Sequence, residues 1–146
     1  MTKYKQGNYK PKHPEKYEGD HTNIFFRSSW EFRFMRWCDN NPGVVLWSSE
    51  ETVIPYICKT DNKPHRYFID FKIKVQDRAG NTKIYLVEVK PKKQTVPPVT
   101  PKRKSKSYLN EVMTYLKNQS KWQYAEQYCK ERNYIFRIIT EDELGI

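Results

Sequence analysis

Two alternating runs of residues joined by a short polar loop constrain the fold more than any other feature of this sequence. Residues 66–75 and 83–90 are rich in β-branched and aromatic residues that alternate with polar ones, the pattern of strands with two different faces. The intervening Asp-Arg-Ala-Gly-Asn at 77–81 has the composition of a hairpin loop. If this antiparallel hairpin is symmetric about Ala79, Asp70 lies directly opposite Glu88.

The segments around this hairpin predict one α/β domain, in which helices flank a mixed sheet. The other predicted elements are, in chain order, a capped helix from Ser28 to about Asp39, strands at 44–47 and 52–58, helices at 107–117 and 120–133, a strand at 134–140 and a capped turn at 140–143. The apolar side of the first helix is expected to hold Trp30, Phe34, Trp37 and Cys38.

The charge of the chain favours a polyanionic partner, because 27 Lys and Arg face 17 Asp and Glu, for a net charge of +10. Residues 1–22 are predicted to be a basic extended arm ahead of a single domain at 23–146. Its lysines alternate with tyrosines (Tyr4, Tyr9 and Tyr17), a mixture suited to phosphates and base stacking, although a disordered tail has the same composition. Residues 91–106 are predicted to be a basic, Pro-rich loop.

The cysteines and histidines predict no metal site. Cys38, Cys58 and Cys129 are far apart without a C-x-x-C pair, so neither zinc nor a disulfide framework is expected, and a reducing cytosolic compartment fits best. His13, His21 and His65 show no ligand spacing, and His65 is expected in a loop or in contact with DNA. No segment approaches the length and apolarity of a membrane span.

The chemistry-bearing residues cluster at one end of the predicted hairpin. Alternation places Ile84, Leu86, Glu88 and Lys90 on one face of the second strand, whereas Tyr67, Ile69, Phe71, Ile73 and Val75 share a face of the first. Two carboxylates directly opposite each other destabilise a sheet unless a divalent cation lies between them. Magnesium suits such oxygen ligands, and the Lys90 ammonium could hold a scissile phosphate or an attacking water. An ordinary exposed Glu–Lys pair is the alternative.

Short motifs around these residues resemble a known superfamily. Ile69-Asp70 followed by Glu88-Val89-Lys90 resembles the motif of the PD-(D/E)xK nucleases, with Ile where that pattern often has Pro. A wider set resembles, over nearly the whole chain, the head-completion nucleases of tailed bacteriophages: Phe26–Glu31, Trp47–Glu50, Val53–Tyr56, His65–Asp70 and Val87–Lys93. The same layout is similar to TnsA-type transposon-end nucleases and phage junction-resolving enzymes.

The resemblance implies a restriction-endonuclease-like sheet and a catalytic role for four side chains, those of Glu31, Asp70, Glu88 and Lys90. It implies that Asp70, Glu88 and the Val89 carbonyl bind Mg²⁺, for which Mn²⁺ substitutes. Lys90 would position the water and stabilise the phosphorane, and Glu31 would complete the site from the first helix. The helical capping box is a competing explanation for Glu31, and the roles of Glu50 and Glu51 stay open.

The resemblance also implies metal-dependent endo- or exonucleolytic hydrolysis of DNA with little sequence specificity and 5′-phosphate products. The expected setting is the host cytoplasm, late in phage head assembly, with head or portal proteins as further partners. The basic residues after the second hairpin strand are expected to grip DNA; these are Lys92, Lys93, Lys102, Arg103, Lys104 and Lys106. The alternatives are a junction resolvase or transposon-end nuclease with the same site, or a non-catalytic DNA-binding protein of virion assembly.

Overall fold

A four-stranded mixed sheet with helices on its two faces forms the centre of the protein. The computed structural model describes residues 6–145. Its elements are β1 (Gly7–Asn8), β2 (Phe25–Phe26), α1 (Ser29–Asn40), β3 (Val44–Ser49), β4 (Val53–Ile57), β5 (Pro64–Phe68), β6 (Phe71–Gln76), β7 (Thr82–Val89), α2 (Lys106–Arg132), β8 (Ile135–Ile139) and α3 (Glu141–Leu144), with 3-10 turns at Pro14–Lys16 and Lys92–Thr95. The predicted α/β class with a mixed sheet is confirmed.

The central sheet has the strand order β3-β6-β7-β8. Its first two pairings are antiparallel, whereas β8 runs parallel to β7 after the crossover through α2. The pairs Phe71↔Val87 and Gln76↔Thr82 show that the β6–β7 hairpin has the register predicted from a loop centred on Ala79. This register directs Asp70, the residue before β6, toward Glu88 near the end of β7.

Two hydrophobic cores lie on opposite faces of the central sheet. In the first, α1 and the N-terminal segment cover Trp47, Phe71 and Val87. In the second, α2 and the two-stranded β4–β5 hairpin pack around Leu86 and Phe136. Because successive residues of a strand face opposite sides, neighbours such as Leu86 and Val87 serve different cores, and both are almost fully buried.

The prediction of one continuous strand over 66–75 is wrong, because the chain changes sheets at Ile69 and Asp70. The Ile69 N–H donates to the Thr52 carbonyl (3.1 Å), and the Asp70 carbonyl accepts from the Glu50 N–H (3.1 Å). Consequently Tyr67 and Ile69 belong to the second core, and Phe71, Ile73 and Val75 to the first, so the predicted single face is divided between them. The break leaves Asp70 at the junction of the two sheets.

Helix α1 begins where predicted, with the Ser28 hydroxyl accepting from the Glu31 N–H (3.2 Å). The Glu31 carboxylate accepts from the Arg27 N–H (3.1 Å), one residue before the position that a capping box predicts. Phe34 and Cys38 are buried as expected, but Trp37 is 48% exposed, which corrects its place in the predicted apolar side. Its ring stacks on Phe34 at a centroid distance of 5.6 Å.

One continuous helix, α2, replaces the two helices predicted at 107–117 and 120–133. The predicted second N-cap, Ser120, is buried within α2, where its hydroxyl accepts from the Lys59 N–H (3.2 Å) in the β4–β5 hairpin. A long-range partner therefore occupies the hydroxyl that the sequence pattern assigned to a helix start. Among the described residues, no helix is both long and apolar enough to cross a membrane.

The described part of the N-terminal segment packs against the domain, contrary to the predicted extended arm. Tyr9 and Tyr17 are buried, so they are not available for base stacking. Lys16 donates from Nζ to the carbonyls of Cys38, Asp39 and Asn41 at 2.8–2.9 Å, where it caps the end of α1 rather than contacting phosphate. Lys3, Tyr4 and Lys5 lie outside the described residues.

Candidate active site

Asp70 lies at the point where β5 ends and β6 begins, and backbone groups hold it from two sides. Its carbonyl accepts from Glu50, and its Oδ2 accepts from the Val89 N–H of β7 (2.8 Å). Burial, followed by the negative charge of Glu88, raises the pKa of Asp70 well above its usual range. The predicted opposition of Asp70 and Glu88 thus has a direct electrostatic consequence.

Glu88 is the buried carboxylate of this site, with 6% of its surface exposed. Its Oε1 accepts a short hydrogen bond from the Tyr67 hydroxyl, and its Oε2 lies 3.4 Å from the Lys90 ammonium. Burial and then the charge of Glu88 raise the pKa of Tyr67, so the phenol stays protonated and donates. The sequence patterns did not indicate a role for Tyr67. The available signal was its place on an apolar strand face, because a buried tyrosine needs a hydrogen-bond partner for its hydroxyl group.

Glu31 faces the same site from the first turn of α1. Burial raises its pKa above the usual value, and the charges of Glu50 and Glu88 act in the same direction, whereas the Arg27 N–H opposes them. The half-buried side chain therefore both caps the helix and adds to the local negative charge. The sequence left two roles open for Glu31, helix capping and a place in the site, and the two are structurally compatible.

Glu50 joins this cluster, although its role was open at the level of sequence. It follows β3 with a left-handed backbone (φ 55°), a conformation that costs energy for a residue other than glycine. Its carboxylate pairs with the Arg27 guanidinium, and its N–H donates to Asp70. Glu51 points elsewhere, because its Oε2 accepts from the Tyr17 hydroxyl (3.2 Å).

The site carries more negative than positive charge. The carboxylates of Glu31, Glu50, Asp70 and Glu88 are accompanied by the cationic groups of Arg27 and Lys90. With all six groups ionised, two negative charges remain uncompensated. Carboxylate oxygens are the ligands that a hard divalent cation such as Mg²⁺ or Mn²⁺ prefers, and such an ion would offset both charges. The donor chemistry of the residues is therefore compatible with the ion that the resemblance implies.

The basic residues after β7 fall into two groups. Lys92 pairs with Asp142 (3.0 Å), and its N–H donates to Glu141 (2.7 Å), so it fastens the chain after β7 to α3. Five others are exposed and precede or flank the start of α2; these are Lys93, Lys102, Arg103, Lys104 and Lys106. Their exposure suits phosphate contacts, and their role in DNA binding stays a prediction.

Comparison with known proteins defines the class to which this fold and site belong. The model of the family described as "TnsA-like endonuclease N terminal" matches residues 41–141, so the chain belongs to this family of endonucleases. The match contains Asp70, Glu88 and Lys90, whereas Glu31 precedes it. Among individual proteins, the chain is similar to the "Head completion nuclease" of Enterobacteria phage T4. The two are 42% identical over 142 residues, which cover 94% of this chain and 92% of the relative. The expected resemblances to head-completion nucleases and to TnsA-type nucleases are thereby confirmed.

Proposed function

We propose that this protein is a Mg²⁺-dependent deoxyribonuclease that hydrolyses phosphodiester bonds during phage head completion. The phage T4 relative supports the biological setting by its name, and the TnsA-like family supports the nuclease activity. The observation that carries the proposal is the surplus of carboxylates around Asp70 and Glu88, with the Lys90 ammonium beside them. Repulsion among these carboxylates destabilises the folded protein unless a cation binds between them and a phosphate binds beside Lys90.

In this proposal Asp70, Glu88 and the Val89 carbonyl hold the metal ion. When bound, the ion supplies the Lewis-acid charge that phosphodiester hydrolysis requires. The Val89 N–H fixes Oδ2 of Asp70, and the Tyr67 hydroxyl fixes Oε1 of Glu88, so hydrogen bonds from the protein orient both carboxylates. Because these bonds are made before substrate arrives, the ligands need no reorganisation during the reaction.

Lys90 and Glu31 act on the substrate and the attacking water. The Lys90 ammonium is half-buried, so its charge is weakly screened, and it offsets the negative charge that develops on the phosphate in the transition state. Oε1 of Glu31 accepts the Arg27 N–H, which leaves Oε2 free to take up a proton from water. The raised pKa of this carboxyl group brings it closer to the pH at which the protein works.

Plasmid cleavage with matched variants tests this proposal. Supercoiled plasmid is expected to be nicked or linearised by the wild type with Mg²⁺ or Mn²⁺ and left intact with EDTA. Asp70→Asn and Lys90→Met are expected to lose cleavage but keep DNA binding in a gel-shift assay. Glu126→Gln on α2 and Lys83→Met at the opposite end of β7 change exposed residues of the same types, and both are expected to cut normally.

Two results would redirect the proposal. Absence of cleavage by the wild type with either metal, with DNA binding intact, would indicate a non-catalytic protein of virion assembly. Cleavage of four-way junctions far faster than of linear duplex would indicate a junction resolvase with the same site.

In a phage that encodes this protein, the Asp70→Asn allele is expected to accumulate filled heads without tails; a normal yield of tailed particles would contradict a role in head completion.

A further inference from the structure

A second group of potential metal ligands lies at the loop end of the β4–β5 hairpin. Cys58, Asp61 and His65 place a thiol sulfur, a carboxylate oxygen and a ring nitrogen within 4.8 Å of one another. His65 Nε2 is 2.8 Å from Asp61 Oδ2, and the Cys58 sulfur is 3.0 Å from the Thr60 hydroxyl. His65 is the second residue of β5, the strand that ends before Asp70. Asp70 is five residues further on, about 16 Å at the usual rise per residue of a strand, so this group is separate from the candidate active site.

The loop that carries these side chains is held by its own backbone. The Cys58 N–H donates to the Lys63 carbonyl (3.0 Å), and the Asn62 N–H donates to the Cys58 carbonyl (2.7 Å). Asn62 has the left-handed backbone (φ 57°) that this tight turn requires. The loop is thus ordered in the arrangement that brings the three donor atoms together.

The two outer ligand side chains are also oriented by their neighbours. The imidazole of His65 stacks on Tyr56 with a centroid distance of 5.5 Å. Asp61 accepts from the Lys63 N–H through Oδ1 (2.9 Å), which leaves Oδ2 directed at His65. Cys58 itself is buried, whereas Asp61 and His65 are exposed, so an ion can reach the group from solvent.

We propose that Cys58, Asp61 and His65 form a zinc-binding site with three protein ligands and a water molecule in the fourth position. A thiolate and an imidazole favour a borderline-soft ion such as Zn²⁺, and a hard ion such as Mg²⁺ prefers the all-oxygen ligands around Asp70. Binding displaces the thiol proton of Cys58 to solvent. The proton that Nε2 of His65 donates to Asp61 moves to Nδ1 of the same ring, so that Nε2 and the Asp61 carboxylate can each bind the metal. The spacing Cys-x₂-Asp-x₃-His lacks a C-x-x-C pair, which is why the sequence analysis expected no zinc site.

The position of this site indicates what zinc would do for the fold. The β4–β5 hairpin is a two-stranded sheet apart from the central sheet, and such a hairpin is only marginally stable by itself. Its inner face packs on α2, but Val53, Ile57 and Phe68 on its outer face are exposed. A metal at the loop end would link β4 to β5 and restrict the motion of β5. This strand contains Tyr67 and is followed by Asp70, both in the candidate active site.

Metal binding by matched variants tests the zinc site independently of nuclease activity. The full-length wild type is expected to retain one equivalent of zinc after gel filtration. Its cobalt-substituted form is expected to show the charge-transfer absorption of a thiolate–cobalt bond. His65→Gln is the main variant because His65 is exposed, and it is expected to weaken zinc binding by at least about 100-fold, more than the change of an outer-sphere partner costs. Cys58→Ser is expected to remove the charge-transfer band.

Two controls separate this proposal from the proposed function. His13→Gln, at another exposed histidine, and Asp70→Asn, in the candidate active site, are both expected to bind zinc as the wild type does. Zinc binding by His65→Gln equal to that of the wild type, or no zinc in the wild type, would overturn the zinc site and leave the nuclease proposal intact. Loss of zinc binding in Asp70→Asn would show that the two sites are not separate and would also overturn it.

Discussion

Helix α1 carries a carboxylate near each end, Asp39 buried and Glu31 half-buried, and the two environments are opposite. Near the end of the helix, Asp39 accepts from the Tyr9 hydroxyl (2.7 Å) and from the N–H groups of Lys12 (2.7 Å) and His13 (3.0 Å). Burial alone would raise the pKa of Asp39, but these hydrogen bonds hold it below its usual value. At the start of the helix, Glu31 faces other carboxylates, and its pKa is raised.

This difference distinguishes a structural acid from an acid in the site that we propose to bind a metal ion. Asp39 accepts three hydrogen bonds from the N-terminal segment, so its carboxylate holds this segment against the rest of the domain. The carboxylates around Asp70 and Glu88 are more numerous than the cationic groups beside them, and such a site is stabilised only when a cation binds. A carboxylate therefore stabilises the fold at one end of α1, whereas the carboxylate at the other end belongs to the site for which we propose nuclease chemistry.

The largest effect is expected for Glu88→Gln. This change removes a proposed metal ligand and is expected to lower the rate of DNA cleavage by about 10³-fold or more. The Tyr67 hydroxyl can still donate to the amide oxygen, and the loss of one repulsive charge offsets the loss of the ion pair with Lys90. The free energy of unfolding in EDTA should therefore change little. A variant that cuts DNA normally, or that unfolds at a much lower denaturant concentration, would contradict the assignment of Glu88.

Asp39→Ala should show the reverse behaviour. It leaves three donors without their acceptor and is expected to lower the free energy of unfolding by about 3 kcal/mol, measured by urea denaturation. Glu126→Ala, at an exposed carboxylate of α2, is the control and should change the stability by less than about 0.5 kcal/mol. Equal stabilities of the two variants would show that the contacts of Asp39 contribute little.

Added magnesium should stabilise only a protein with an intact acidic site. At a concentration 100 times its Kd, Mg²⁺ is expected to raise the free energy of unfolding of the wild type by about 2.7 kcal/mol. Asp70→Asn should lose this gain, whereas Asp142→Ala should keep it. Thermal or urea unfolding with and without Mg²⁺ measures the difference, and an equal gain in Asp70→Asn would place the ion elsewhere.

The smallest predicted effect is a dependence of stability on acid. Because the pKa of Asp39 is lower in the folded protein, its stabilising contribution is complete above the unfolded-state pKa of about 4. That contribution is lost as the pH falls through the folded-state pKa, where Asp39 takes up a proton. Asp39→Asn should therefore show a shallower loss of stability below about pH 4 than the wild type. Parallel pH profiles of the two proteins would refute this expectation.

The sequence predicted the part of the site that depends on local pattern. A symmetric loop about Ala79 and the alternation of β6 and β7 were enough to predict that Asp70 and Glu88 lie opposite each other. The pattern did not reveal the break at Asp70, because alternation continues through it while the hydrogen bonds pass to Thr52 and Glu50. Those partners lie about 20 residues earlier and leave no local signature.

Long-range contacts also explain the other errors. Lys16 and Tyr9 occur in a polar, Pro-containing segment that is typical of an extended arm, yet both bind groups at the end of α1. Ser120 has the pattern of an N-cap, but its hydroxyl accepts from Lys59 in the β4–β5 hairpin. In each case a polar side chain forms a hydrogen bond with a residue far along the chain, which local propensity does not encode.

The most direct test of the account is the position of a bound metal ion. In a crystal of the wild-type protein soaked with Mn²⁺, anomalous scattering is expected to show a peak in contact with the carboxylate oxygens of both Asp70 and Glu88. The same soak of Asp70→Asn should lack this peak. A well-ordered wild-type site without manganese, or manganese bound only at other carboxylates, would contradict the claim that these two residues share a cation.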